Sequence, residues 1–152
     1  MTPTGSTIEY LDGGRFICSL VLQESGNRLR LLNQNGREVN LPASRVVSVS
    51  TIRTSLDTSR DECIALLQDA ARKRAALSER IPLQEIWELA NEEEQTAFPA
   101  NFLAELYFGG DLSDDQSAAF LRAVFADRFY FKYKNGLVTV HTPEQVEHLY
   151  RQ

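Results

Sequence analysis

Residues 8–51 read IEYLDGGRFICSLVLQESGNRLRLLNQNGREVNLPASRVVSVST, five short alternating segments separated by turn signals. Alternate residues of a strand point to opposite faces. On that pattern Phe16, Cys18, Leu20 and Leu22 share one face of the second segment, and Leu29 and Leu31 one face of the third. Val39 and Leu41 share a face of the fourth, and Val47 and Val49 a face of the fifth. Together these faces predict one apolar core. Gly13-Gly14, Ser25-Gly26-Asn27 and Asn33-Gln34-Asn35-Gly36 supply residues that tolerate the positive φ of tight hairpin turns, so successive strands pair antiparallel. Pro42-Ala43-Ser44-Arg45 interrupts the ladder, because proline has no N–H to give to a central pairing.

The expectation is an α+β chain that opens with a small SH3-like five-stranded β-barrel over residues 1–56, with a short helical turn before the closing strand. An OB-type barrel is the alternative, but about 45 residues leave little room for its longer strands. The polar faces and turns of this block carry Arg15, Arg28, Arg30, Arg37 and Arg45, and no lysine precedes Lys73. Arginine forks suit phosphate, although they also decorate ordinary strand surfaces.

The net charge of −5 conceals an asymmetry. Residues 1–55 hold six bases and four acids, whereas residues 56–152 hold ten bases and seventeen acids. A cationic part joined to an acidic part fits a nucleic-acid-contacting module attached to a scaffold or protein-contacting one. The hydrophobic fraction of 43% is that of an ordinary globular chain rather than a disordered one. Neither a secretory signal nor a membrane span is visible, and Cys18 and Cys63 read as reduced, buried thiols, which predicts a cytoplasmic setting and no membrane partner.

Beyond the first block the pattern turns helical. Ser59-Arg60-Asp61-Glu62 is a capping box, and Cys63, Leu66, Leu67, Ala70, Ala71 and Leu77 recur at helical spacing, predicting a linker helix over residues 57–80. Residues 81–152 follow as a winged-helix-like domain. Leu83, Ile86, Trp87 and Ala90 line one side of its first helix. Pro99 opens the next, with Phe102, Leu103, Leu106 and Tyr107 on its apolar face, and Gly109-Gly110 stop it. Ser113-Asp114-Asp115-Gln116 caps a third helix carrying Ala119, Phe120, Val124 and Phe125. Two alternating strands around Lys134-Asn135-Gly136-Leu137 form a wing with a two-residue type I′ turn. Thr142-Pro143-Glu144-Gln145 caps a last helix.

Catalytic signatures are missing: no phosphate-binding glycine loop, H-E-x-x-H, G-x-S-x-G or C-x-x-C occurs. The segment therefore predicts no catalytic residue, no metal site and no cofactor. His141 and His148 lack a third patterned ligand. Asp111, Asp114 and Asp115 are explained as acids at the start of a helix, which the dipole favours. Tyr130, Lys132 and Lys134 alternate along the wing strand and suit contact with bases or phosphates. An edge strand guarded by lysines against aggregation accounts for the same residues. The helix carrying Asp114, Asp115 and Asp127 is too acidic for comfortable entry into a DNA groove.

The strings RLRLLNQNGREVNLPASRVV (28–47) and RFYFKYKNGLVTVHTPEQVE (128–147), separated by a basic amphipathic helix, resemble the N-terminal accessory region of bacterial ribonuclease II family proteins. That resemblance implies a small barrel and winged-helix-like modules preceding a catalytic domain that degrades RNA from its 3′ end with a divalent metal. The family's catalytic aspartate cluster has no counterpart in this chain. The resemblance thus implies a noncatalytic fragment or stand-alone accessory part. Its partners are single-stranded RNA and either the C-terminal catalytic domain of the same protein or another protein. The RNA-contacting residues are Arg15, Arg28, Arg30, Arg37, Arg45, Tyr130, Lys132 and Lys134. A protein-interaction adaptor whose barrel groove receives a peptide is the alternative from another functional class.

Overall fold

The computed structural model describes residues 2–134 and 136–152. The chain divides into two units, residues 1–75 and 76–152. The division falls inside a long helix, α1 (Arg60–Glu79).

In the first unit, five strands precede that helix: β1 (Ser6–Asp12), β2 (Arg15–Ser25), β3 (Arg28–Asn33), β4 (Glu38–Pro42) and β5 (Val46–Arg53). They pair antiparallel in the order β4-β3-β2-β1-β5. The β1–β2 turn is set by Gly13 and Gly14, both at positive φ (59° and 81°) between the paired Asp12 and Arg15, a conformation that side chains with a Cβ resist. The expected turn before the last strand is present as a single 3-10 turn, Ala43–Arg45.

The barrel expectation is corrected. The sheet is open, with β4 and β5 as its two edges and no pairing between them among the described residues. Pro42 ends β4 without an N–H to offer, and the turn Ala43–Arg45 follows directly. Both faces of the sheet are buried, whereas a small barrel would bury only its inside. Ile8, Tyr10, Val21, Leu29, Leu31 and Leu41 form one core, and Cys18, Leu20 and Leu32 form another with Cys63 and Leu67 of α1. The predicted grouping of Cys18 and Leu20 with Leu29 and Leu31 therefore fails. Leu20 lies opposite Leu32 and Val21 opposite Leu31, with a bulge between Val21 and Gln23, and a one-residue change of parity exchanges the two faces. For the same reason Val46, not Val49, packs into the first core, and Val49 is exposed.

One polar pair sits inside this arrangement. Glu9, fully buried on β1, lies 3.5 Å from Arg74 Nη1 of α1, which is itself buried. Cys18 Sγ donates to Glu9 Oε1 at 3.3 Å and Ser48 Oγ to Oε2 at 3.5 Å. Taking a carboxylate out of water is costly unless a cation and hydrogen bonds replace the solvent.

The second unit comprises α2 (Leu83–Ala90), β6 (Ala97–Pro99), α3 (Ala100–Phe108), α4 (Asp114–Ala126), β7 (Phe131–Lys134), β8 (Leu137–Val140) and α5 (Pro143–Tyr150). The strands form an antiparallel sheet in the order β6-β8-β7. Ile86, Phe98, Leu103, Phe120, Val124, Phe131 and Val138 are in its core. The two caps predicted in this unit close as capping boxes: Ser113 accepts from Gln116 N–H and Thr142 from Gln145 N–H, with each glutamine reaching back. β6 went unforeseen, because three residues ending in Pro99 carry no periodicity and are held by long-range pairing to Leu137–Thr139. Phe102, Tyr107 and Phe125, expected in the core, are 37–47% exposed. Phe102 stacks on Phe98 and Phe125 tilts against Tyr133, at centroid distances of 5.3 and 4.9 Å. The wing turn joins paired Lys134 and Leu137 through Gly136 at φ 80°, and its type I′ reading also depends on Asn135, which lies outside the described residues.

Replacing Arg74 by methionine strands the Glu9 carboxylate and is expected to lower stability by about 3–5 kcal/mol. The double replacement Glu9→Leu with Arg74→Met should recover most of that loss. Urea unfolding of the single and double variants measures both, and equal losses in the two would show that the carboxylate left by Arg74→Met is not what costs the stability.

Candidate nucleic-acid interface

Arg15, Arg28, Arg30, Arg37 and Arg45 are all exposed. Arg15 begins β2 beyond the Gly13-Gly14 turn, Arg37 sits at the mouth of the β3–β4 turn, and Arg28 and Arg30 lie two residues apart on the same face of β3. Their environments differ. Arg30 Nη1 is 2.5 Å from Glu38 Oε1, so its charge is largely answered. Arg28 Nε donates to Asn40 Oδ1 at 2.9 Å and Arg45 Nη2 to the Leu11 carbonyl at 2.7 Å, both neutral acceptors. Four of the five thus have no carboxylate partner among the described residues. The same side chains can orient through neutral groups and still offer their charge to a phosphate.

Beside Arg30, at the margin of the face that packs against α1, the sheet forms a groove of about 220 Å³ lined by Leu20, Leu22 and Leu32. Arg60, from the start of α1, borders it and donates to the Gly36 carbonyl. Cys63 also lines the groove, and burial, reinforced by Glu62, pushes its thiol above the usual range. A thiol so placed stays protonated and is a poor nucleophile.

The structure separates Tyr130 from the lysines with which the sequence grouped it. Lys132 and Lys134 are exposed on β7, but Tyr130 lies just before that strand and is buried in the core. Its hydroxyl meets that of Tyr150 at 2.5 Å, and its ring packs against Trp87 at 5.3 Å. Asp127 fixes this entry to the wing: its carboxylate accepts from the backbone N–H groups of Phe129, Tyr130 and Phe131 at 3.3, 2.8 and 2.8 Å. Sequence reasoning missed Asp127 in this role. Its signal was available, since an aspartate at a helix end followed by a strand characteristically collects the next free amides.

The two histidines that the sequence paired converge with two basic residues that it did not group with them. Arg128, Lys132, His141 and His148 line one cleft on the second unit, together with Glu144 and Leu149. His141 Nδ1 is 2.8 Å from the Phe129 carbonyl. Among the described residues no group of three or more His, Cys, Asp or Glu is arranged to hold a metal ion, and no helix is long and apolar enough to cross a membrane.

Burial first, then the hydrogen bond to Tyr150, pushes the Tyr130 phenol up to about 12. In the unfolded chain the phenol ionises near its ordinary value of about 10. Between these values the unfolded chain holds fewer protons than the folded one, so stability is intact below pH 10 and falls as pH rises toward 12. Tyr130→Phe should flatten that part of the profile. Urea midpoints at pH 9, 10 and 11 for the two proteins check the sign, and identical slopes would contradict it.

Comparison with protein-family models, with curated proteins and with solved structures finds no match to this chain.

Proposed function

We propose that this chain is a noncatalytic RNA-binding accessory region of a ribonuclease II-type 3′–5′ exoribonuclease. The observation that carries the reading is the set Arg15, Arg28, Arg37 and Arg45, exposed and without carboxylate partners among the described residues, in a block whose bases outnumber its acids. Their role is to hold backbone phosphates of single-stranded RNA, an interaction that discriminates little by sequence. Lys132 and Lys134 of the wing add a second basic stretch. Tyr130, being buried, contributes by supporting the wing rather than by stacking on a base. The acidic second unit serves as the side that packs against the catalytic domain or another protein. The proposed setting is the cytoplasm, with Cys18 and Cys63 as buried thiols outside any disulfide.

The resemblance of residues 28–47 and 128–147 to ribonuclease II accessory regions supplies the enzyme class, and the arginine exposures supply the RNA interaction. The groove lined by Leu20, Leu22 and Leu32 favours one rival, a peptide-receiving adaptor.

Fluorescence anisotropy with single-stranded RNA across a salt series separates the two. Arg28→Gln with Arg37→Gln should weaken binding alike for different sequences. The slope of log affinity against log salt should become shallower by about 0.7 for each phosphate that is no longer neutralised. Arg30→Gln should do less, since Arg30 must exchange Glu38 for phosphate. Wild-type protein that binds no RNA at low salt would leave the adaptor reading in its place. End-labelled RNA incubated with the chain and magnesium or manganese should stay full length, because no metal-assisted cleavage site is present among the described residues.

A further inference from the structure

Residues 76–152 hold six bases against thirteen acids, so cations there are scarce. Three of the six, Arg128, Lys132 and Lys134, nevertheless fall within seven residues. Arg151, by contrast, is paired with Glu147 on its own helix. Arg128 and Lys132 both line the cleft of about 540 Å³ between β7 and α5, and so do both histidines of the chain. Neither Arg128 nor Lys132 forms an ion pair among the described residues. One carboxylate, Glu144, stands among these four groups. A concave surface concentrates the field of the charges that line it.

The donors are also positioned. Asp127 holds the backbone that follows Arg128, through the amides of Phe129, Tyr130 and Phe131. The Phe129 carbonyl engages His141 Nδ1, which places the Nδ1 proton there and leaves Nε2 as the other ring nitrogen. Trp87 Nε1 donates to the His141 carbonyl at 2.8 Å, fixing that residue further. On α5, His148 Nε2 is 3.0 Å from Gln152 Nε2, and Gln145 presents an amide to the same cleft. A guanidinium, an ammonium, the Gln145 amide and the His148 imidazole around one concavity match an oxyanion with several acceptor atoms.

We infer that the Arg128–Lys132–His141–His148 cleft is a phosphate-binding site that receives a phosphate group of single-stranded RNA. The identity of the RNA rests on the function proposed above, whereas the phosphate chemistry rests on the cleft alone. Arg128 and Lys132 supply the charge, the His148 imidazole and the Gln145 amide supply directional hydrogen bonds, His141 forms part of the wall, and Glu144 limits affinity by repulsion.

The full chain, isotopically labelled, is titrated with inorganic phosphate, uridine monophosphate and a uridine dodecamer while amide shifts are followed. Shifts are expected for Arg128, Lys132 and His148 with all three. In anisotropy with the dodecamer, Arg128→Gln with Lys132→Gln should lower affinity about tenfold or more, and Glu144→Gln should raise it, which a purely structural role for these exposed residues would not do. Dispersed spectra of each variant verify that the fold is kept. Shifts with uridine monophosphate but no dodecamer binding keep the phosphate site and overturn the RNA reading. Dodecamer binding left unchanged by the double variant overturns the site and keeps the RNA reading. No shifts in the cleft with any of the three overturns the site.

Discussion

The first unit is organised around the need to answer one buried charge. Glu9 points away from the core that contains Ile8 and Tyr10, into the side of the sheet where α1 lies. Arg74, about four helical turns beyond the start of α1, brings a guanidinium to it, and Cys18 and Ser48 add hydrogen bonds from β2 and β5. Through these partners the carboxylate on β1 is tied to two further strands and to the helix. A sheet slipped by one residue would turn Glu9 into the apolar face, where nothing could compensate it. The pair is a weak source of net stability compared with the surrounding leucines, but it discriminates strongly among registers.

Local structure was well encoded in the sequence wherever short-range chemistry decides it. Gly13-Gly14, the Ser59 cap, the Ser113 and Thr142 capping boxes and the stop at Gly109 all act through neighbours within a few residues. What escaped was set by distance. In β2 the run Ile17-Cys18-Ser19-Leu20-Val21-Leu22 is apolar on both parities, so alternation alone does not say which side meets β3's leucines and which meets a helix. The choice is made by Cys63 and Leu67, more than forty residues away. An open sheet with a helix on its second face and a closed barrel present the same strand pattern until that helix is placed.

The interface residues divide along the same line. That Arg15, Arg28, Arg37 and Arg45 are exposed followed from strand parity and turns, because arginine on a polar face has nowhere else to go. That Glu38 answers Arg30 while Asn40 receives Arg28 depends on the β3–β4 register, which pairs Arg30 with Asn40 and Leu32 with Glu38. Tyr130 was misplaced because period two was extended one residue too far: the strand begins at Phe131, and Tyr130 belongs to the bend that Asp127 holds. The cleft joining Arg128 and Lys132 to His141 and His148 had no local pattern, since α5 returns to β7 only after the hairpin.

The Asp127 carboxylate has a consequence for the thermodynamics of binding. A loop that presents a cation to a ligand normally loses conformational freedom when the ligand arrives, at about 1–2 kcal/mol for each backbone residue immobilised. With three successive amides already gathered by one side chain, that entropy has been surrendered during folding. Any anion meeting Arg128 and Lys132 encounters side chains carried on a backbone that is already ordered, so the ordering cost of binding is confined to those side chains.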